Sequence, residues 1–219
     1  MQLPKAAIWQ LYALATAVAA LVLSLLFRGP WSPVFAIAIA AVMGWYVSII
    51  AQMVRTRRMP LDFTASHAIA GAISLMLAIV VGIALTFIGG DSSAGARLAP
   101  VYGVLGLLGF FSNFIIGMSY QLFAGFVARA RTGAGWPAVT ISEISIFRPR
   151  IFILIAFNLA IAILVAGFLG GSVGVARIGA SIAAAGGHVY CAITIWTLSF
   201  AFRQALPASA RRASLRVLP

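Results

Sequence analysis

Six long apolar runs, at 8–27, 33–53, 67–88, 101–128, 151–169 and 178–202, take up most of the 219-residue chain. A hydrocarbon core about 30 Å thick is crossed by about 20 residues of helix. Backbone polar groups inside it have no water to bond, so runs of this length must be helical there. The pattern predicts an all-α fold: a polytopic membrane helix bundle with six transmembrane helices, forming a single domain over 1–219. Composition points the same way, with 63% hydrophobic and 8% charged residues against about 25% charged in a soluble domain. A soluble globular domain and a disordered chain are excluded. The one cysteine, Cys191, leaves no intramolecular disulfide to form. Ala17-Val18-Ala19 has the small-x-small form of a signal-peptide cleavage site, yet the apolar run continues to Phe27, which reads as a retained helix.

The net charge is +12. On a soluble protein that value suggests nucleic acid; here the basic residues sit at the ends of the apolar runs, so topology explains them and no nucleic-acid partner is expected. Lys5, Arg55, Arg57, Arg58, Arg129, Arg131, Arg148, Arg150, Arg203, Arg211, Arg212 and Arg216 fall on one side of a six-span arrangement. Arg28, Arg97 and Arg177 fall on the other. Cytoplasmic flanks collect Lys and Arg, so both termini are expected to be cytoplasmic, in a bacterial-type inner membrane. Two loops are longer than the rest. The outer one, 89–100, is rich in Gly, Ser and Ala. Within the inner one, 129–150, the stretch 136–147 alternates in part between apolar and polar and reads either as an interfacial segment anchored by Trp136, Arg148 and Arg150 or as a plain loop.

Ionisable residues inside a bilayer are costly and so mark function. No Asp, Glu, Lys or Arg lies deep within the six runs, and Asp62, Asp91 and Glu143 fall outside them. That argues against carboxylate-coupled proton or sodium transport. Lys5 is the one lysine, so a retinal Schiff base is excluded. The two histidines, His67 and His188, occupy matching places in a three-plus-three division of the helices, though the halves share little else. Counted along each helix at 1.5 Å per residue, His188 lies near mid-membrane and His67 near the cytoplasmic mouth of the third helix. The same count puts Asn113 at the depth of His188, and Ser119, Tyr120 and Gln121 near that of His67. His188 is the candidate metal ligand. His188, Asn113, His67 and Tyr120 are the candidate cofactor-binding residues. The plain alternatives are a histidine bonded to a neighbouring carbonyl and polar side chains holding helices together.

Gly103, Gly106 and Gly109 recur every third residue, with Gly117 following, and would let a neighbouring helix or a flat cofactor approach. Gly117-Met118-Ser119 with His188 superficially resembles the serine–histidine pair of rhomboid proteases, but the depth count separates the two side chains. A closer likeness lies in Leu105-Gly106-Leu107-Leu108-Gly109-Phe110 followed by Ile115-Ile116-Gly117-Met118-Ser119-Tyr120-Gln121-Leu122-Phe123. This resembles a helix of the haem-copper oxidase-like membrane proteins, which include oxidase subunit I and nitric oxide reductase. It covers about thirty residues. Tyr102 stands where that pattern has histidine, Phe110 where it has tryptophan and Ala124 where it has proline. The resemblance implies a reduced relative holding haem b or copper near His188 and serving as an electron-transfer or accessory subunit of a respiratory-type complex. Read from the residues alone, a non-redox structural or assembly subunit fits equally, as does a small-solute carrier lined by Asn113, Ser119, Gln121 and Thr194. The expected partners are the lipid bilayer and other membrane-protein subunits, and an enzymatic activity is not expected.

Overall fold

The protein is described by a computed structural model covering residues 3–27, 31–56, 63–88, 92–136 and 147–202. These residues are helical almost throughout. The helices are α1 (Leu3–Leu26), α2 (Ser32–Thr56), α3 (Phe63–Ile88), α4 (Ser93–Gly103), a π-helical segment (Val104–Ser112), α5 (Asn113–Gly133), α6 (Phe147–Leu169) and α7 (Val173–Ser199), which ends in a 3₁₀ turn at Phe200–Phe202. Among the described residues, five helical stretches are long and apolar enough to cross a membrane: Ser32–Gln52, Thr64–Ile88, Ser93–Gly133, Arg150–Leu169 and Val173–Phe202. A shorter apolar run, Ile8–Ser24, lies in α1. The chain is a multi-pass helical membrane protein.

Two boundaries differ from the sequence expectation. The stretch 89–100 was expected to be a loop, because its Gly, Ser and Pro content disfavours helix. Instead Ser92 caps a helix: its Oγ accepts from the Gly95 N–H at 2.9 Å and its carbonyl from the Ala96 N–H at 2.9 Å. Helix then runs through Pro100 into the π segment and on to Gly133, a 41-residue span. Similarly, α7 begins at Val173 rather than near 178. Gly171 (φ 66°) ends α6 with the Ser172 N–H donating to the Gly167 carbonyl at 2.8 Å, and Ser172 Oγ caps α7. This Schellman turn makes α6 and α7 a tight hairpin. Gly167 and Gly179 keep it tight, since a Cβ on either would lie under 3 Å from the backbone of the opposite helix.

Packing runs in chain order. α1 lies on α2 and α2 on α3; α3 lies along α4, the π segment and α5, which in turn meet α6 and α7. The main apolar core, around Val101, Leu105, Ile116, Tyr120, Ile153 and Phe157, sits between α3 and α6. One face of α3 carries His67, Gly71, Ser74 and Ala78 into it, and one face of α5 carries Asn113, Gly117, Tyr120, Ala124 and Val127. The expected glycine contacts are realised selectively. Nothing lies within 4 Å of a Cβ at Gly103 or Gly106, whereas one at Gly109 would sit 2.5 Å from Ser74 Cβ and one at Gly117 2.8 Å from His67 Cβ.

The acidic residues Asp62, Asp91 and Glu143, the basic residues Arg28, Arg57, Arg58, Arg203, Arg211, Arg212 and Arg216, and the interfacial stretch between Trp136 and Phe147 lie outside the described residues.

Candidate functional site

Polar side chains expected to mark function meet between α3, α5 and α6. His67 is fully buried, as is Asn113 on α5. Their contact is 2.9 Å, His67 Nδ1 to Asn113 Oδ1. The Asn113 amide nitrogen donates to the Gly109 carbonyl at 2.8 Å and to Asn158 Oδ1 at 3.2 Å. Asn158, on α6, mirrors it, donating to the Leu154 carbonyl at 2.8 Å and to Asn113 Oδ1 at 3.3 Å. A carbonyl only accepts, so Gly109 fixes which end of the Asn113 amide faces which way. Asn113 Oδ1 is then an acceptor, His67 Nδ1 carries a proton, and Nε2 makes no hydrogen bond among the described residues. Thr64 Oγ1 donates to the Gly117 carbonyl at 3.0 Å and ties the same two helices one turn away. The chain's two asparagines thus link α5 to α6, and the histidine joins α3 to them.

Tyr120 lies beside this triad. Its ring centroid is 5.9 Å from that of His67 and 6.0 Å from that of Tyr190. Tyr190 donates to Ser119 Oγ at 2.7 Å, and Ser119 donates to the Ile116 carbonyl at 2.8 Å. The Arg150 guanidinium stands 4.4 Å from the centre of the Tyr120 ring, a cation–π distance. Three buried polar atoms here have no hydrogen-bond partner among the described residues: His67 Nε2, Tyr120 OH and Arg150 Nε. Buried groups are rarely left so, which makes this cluster the candidate site.

Three of the four predicted cofactor-binding residues, His67, Asn113 and Tyr120, are therefore brought together. His188 is not. It is exposed on the outer face of α7, and its Nδ1 donates to the Ala184 carbonyl at 2.7 Å. The contact between Asn113 and His188 that the depth count allows is not made: His188 turns outward on α7, and Asn113 meets His67 instead. Ser119 bonds Tyr190 and Ile116 rather than any histidine, and Gln121 faces outward. Asn158 and Arg150 escaped the sequence reading as site residues. Asn158 is visible as a lone amide in an apolar run; Arg150 stands at the start of an apolar span, as a topological flank does, and the structure adds that its side chain is buried. Arg131 is likewise buried, donating to the Phe200 carbonyl at 3.1 Å with its guanidinium 5.4 Å from the Trp136 ring centre.

The fit of a prosthetic group can be tested on this geometry. His67 has the oriented ring of a metal ligand, with its second nitrogen held by an oxygen. The cleft beside Tyr120 and Arg150 has no room even for a water, against the roughly 300 Å³ at which ligand pockets begin. A porphyrin does not fit there. A wider apolar cleft of about 480 Å³ runs between α1, α2, α3 and the π segment past Tyr102 and Gly106, but neither histidine lines it. Among the described residues no three of His, Cys, Asp and Glu gather to hold a metal ion. Comparison with protein-family models, curated proteins and solved structures found no match.

Proposed function

We propose that this chain is a non-redox accessory subunit of a larger complex in a bacterial-type inner membrane, with both termini cytoplasmic, and that it docks through the outer face of α7. One observation carries the reading. Other long helices present bulky side chains outward: Ile73, Leu77 and Val80 on α3, Ile115, Leu122 and Phe126 on α5, Phe152, Ile155 and Leu159 on α6. Between Ile178 and Ile195, α7 instead exposes Ala180, Ser181, Ala184, Ala185, His188, Cys191 and Ala192. Lipid-facing helices favour large apolar side chains, whereas helix–helix interfaces in membranes favour small ones with a polar group as glue. The His67 cluster belongs to this reading as internal support that joins α3, α5 and α6.

A thiol-directed crosslinker on the tagged chain in native membranes tests it, since Cys191 is the single attachment point. A discrete crosslinked species that survives gentle detergent extraction, and disappears when Ala184 is replaced by Trp, is the expected result. A chain that remains a lone monomer under both treatments would sink the reading.

A second reading keeps the redox role that the oxidase-like resemblance implies. His188 has its Nδ1 proton on a carbonyl, so Nε2 is free to face a haem or copper ion completed by a partner's ligand. A reduced-minus-oxidised spectrum of the purified complex, compared with that of His188→Ala, decides it. Absence of haem bands and of bound copper ends the second reading and leaves the first intact.

A further inference from the structure

We propose that Arg150 and the hydroxyls beside it hold the phosphate group of an anionic phospholipid. Arg150 is buried, 5% exposed as a residue, its Nε is sealed from solvent, and no described residue carries a carboxylate to pair with it. Its Nε–H and the Tyr120 O–H are both unpartnered donors. They line one cleft together with Ser119, Phe123, Thr194 and Thr197. Two orphaned donors and a cation call for an acceptor that carries negative charge, and the guanidinium fork matches the oxygens of a phosphate. The Tyr190–Ser119–Ile116 hydrogen-bond chain braces one wall and leaves those donors free for the ligand.

Level decides the source of the phosphate. Arg150 opens the 20-residue apolar span Arg150–Leu169, whose length matches one hydrocarbon core. Thr64, the first residue of the α3 span, bonds the same stretch of α5. The cleft thus sits where hydrocarbon gives way to headgroups, the depth at which basic pockets between helices take acidic lipids. The cleft is too narrow for a free water, so entry requires the Arg150 side chain to swing aside, a motion its length permits.

Native mass spectrometry of the full chain in mild detergent, with phosphatidylglycerol, phosphatidylcholine or inorganic phosphate added, is the test. One phosphatidylglycerol should be retained per chain in preference to phosphatidylcholine, and Arg150→Gln should weaken it about tenfold, the loss of one charge-assisted contact. Arg150→Lys, which keeps the charge and loses the fork, and Thr197→Val should each weaken it less in a folded protein. Arg55→Gln, an exposed arginine at the same end of the bundle, should leave it unchanged. Displacement of the lipid by inorganic phosphate with the same Arg150 dependence keeps the phosphate site and makes a soluble anion its source. Equal losses in Arg55→Gln and Arg150→Gln, or no preference between the two lipids, would overturn the proposal.

Discussion

His67 and His188 make the same local bond in opposite surroundings. Each gives its Nδ1 proton to an oxygen, Asn113 Oδ1 at 2.9 Å in one case and the Ala184 carbonyl at 2.7 Å in the other. The His67 bond crosses from α3 to α5 inside the core, while the His188 bond stays within one turn of α7 on an exposed face. The difference teaches that a satisfied histidine is not yet a structural one. A bond within one helix holds no helices together, whereas a bond between helices does, and it costs the fold when lost. The comparison can be broken at the glycines that bring α3 and α5 together, at the amides that join them to α6, and at His188 itself.

The glycines carry the largest expected effect. At Gly109 a methyl would meet Ser74 Cβ at 2.5 Å, and at Gly117 it would meet His67 Cβ at 2.8 Å and the Thr64 carbonyl at 3.2 Å. Relief requires α3 to move away from the π segment at Gly109 and from α5 at Gly117, because backbone and Cβ atoms cannot rotate away. Gly109→Ala and Gly117→Ala should each cost about 2–3 kcal/mol, read as unfolding free energy in mixed micelles. Gly106→Ala, in open space, should be neutral or stabilising by up to about 1 kcal/mol. If all three behave alike, the close approach of α3 to α5 is wrong and the His67 contact falls with it.

The amides come next. Asn113→Leu leaves the His67 Nδ1–H and Asn158 Oδ1 without their partners, while the Asn158 nitrogen keeps the Leu154 carbonyl, and should cost about 2 kcal/mol. Asn158→Leu removes one arm of the reciprocal pair and should cost about 1 kcal/mol, in the range of single interhelical hydrogen bonds in membranes. The double replacement should cost less than the sum, since the two amides satisfy each other. Strict additivity would show that the two side chains do not touch.

These same residues show what the chain disclosed in advance. Membrane helices announce themselves, because about 20 apolar residues in a row have few other solutions; the apolar runs and the α3–α7 bundle were readable on that ground. The direction in which each polar side chain turns about its helix was not: His67 and Asn113 point into the core, while His188 points out from α7. Three site residues were legible, Asn113 and His67 as costly polar groups in apolar surroundings and Tyr120 by its depth beside His67, although the bond between Asn113 and His67 was not. Asn158 carried the same signal and was overlooked. Arg150 was hidden by its position: an arginine at a helix end ordinarily faces headgroups, and only the burial of its side chain over Tyr120 sets it apart. The three-residue glycine spacing misled for another reason. The π segment has a wider turn than an α-helix, so a spacing counted on α-helical geometry does not keep Gly103, Gly106 and Gly109 on one contact face.

The smallest expected effect is the most discriminating. His188→Ala removes a side chain that touches only its own helix, so the isolated chain in detergent should change by less than about 0.5 kcal/mol, as for replacements away from structural features. In the native membrane the same change should weaken crosslinking through Cys191, because small-residue interfaces lean on their few polar groups. His67→Ala should do the reverse: it empties a buried ring site and takes one of two donors from Asn113 Oδ1, which keeps Asn158, and destabilises the isolated chain by about 1–3 kcal/mol, while what remains folded still crosslinks. A crossed result, in which His188→Ala unfolds the isolated chain or His67→Ala abolishes crosslinking without loss of stability, would mean that the two histidines trade places. The interior cluster would then be the one that meets a partner.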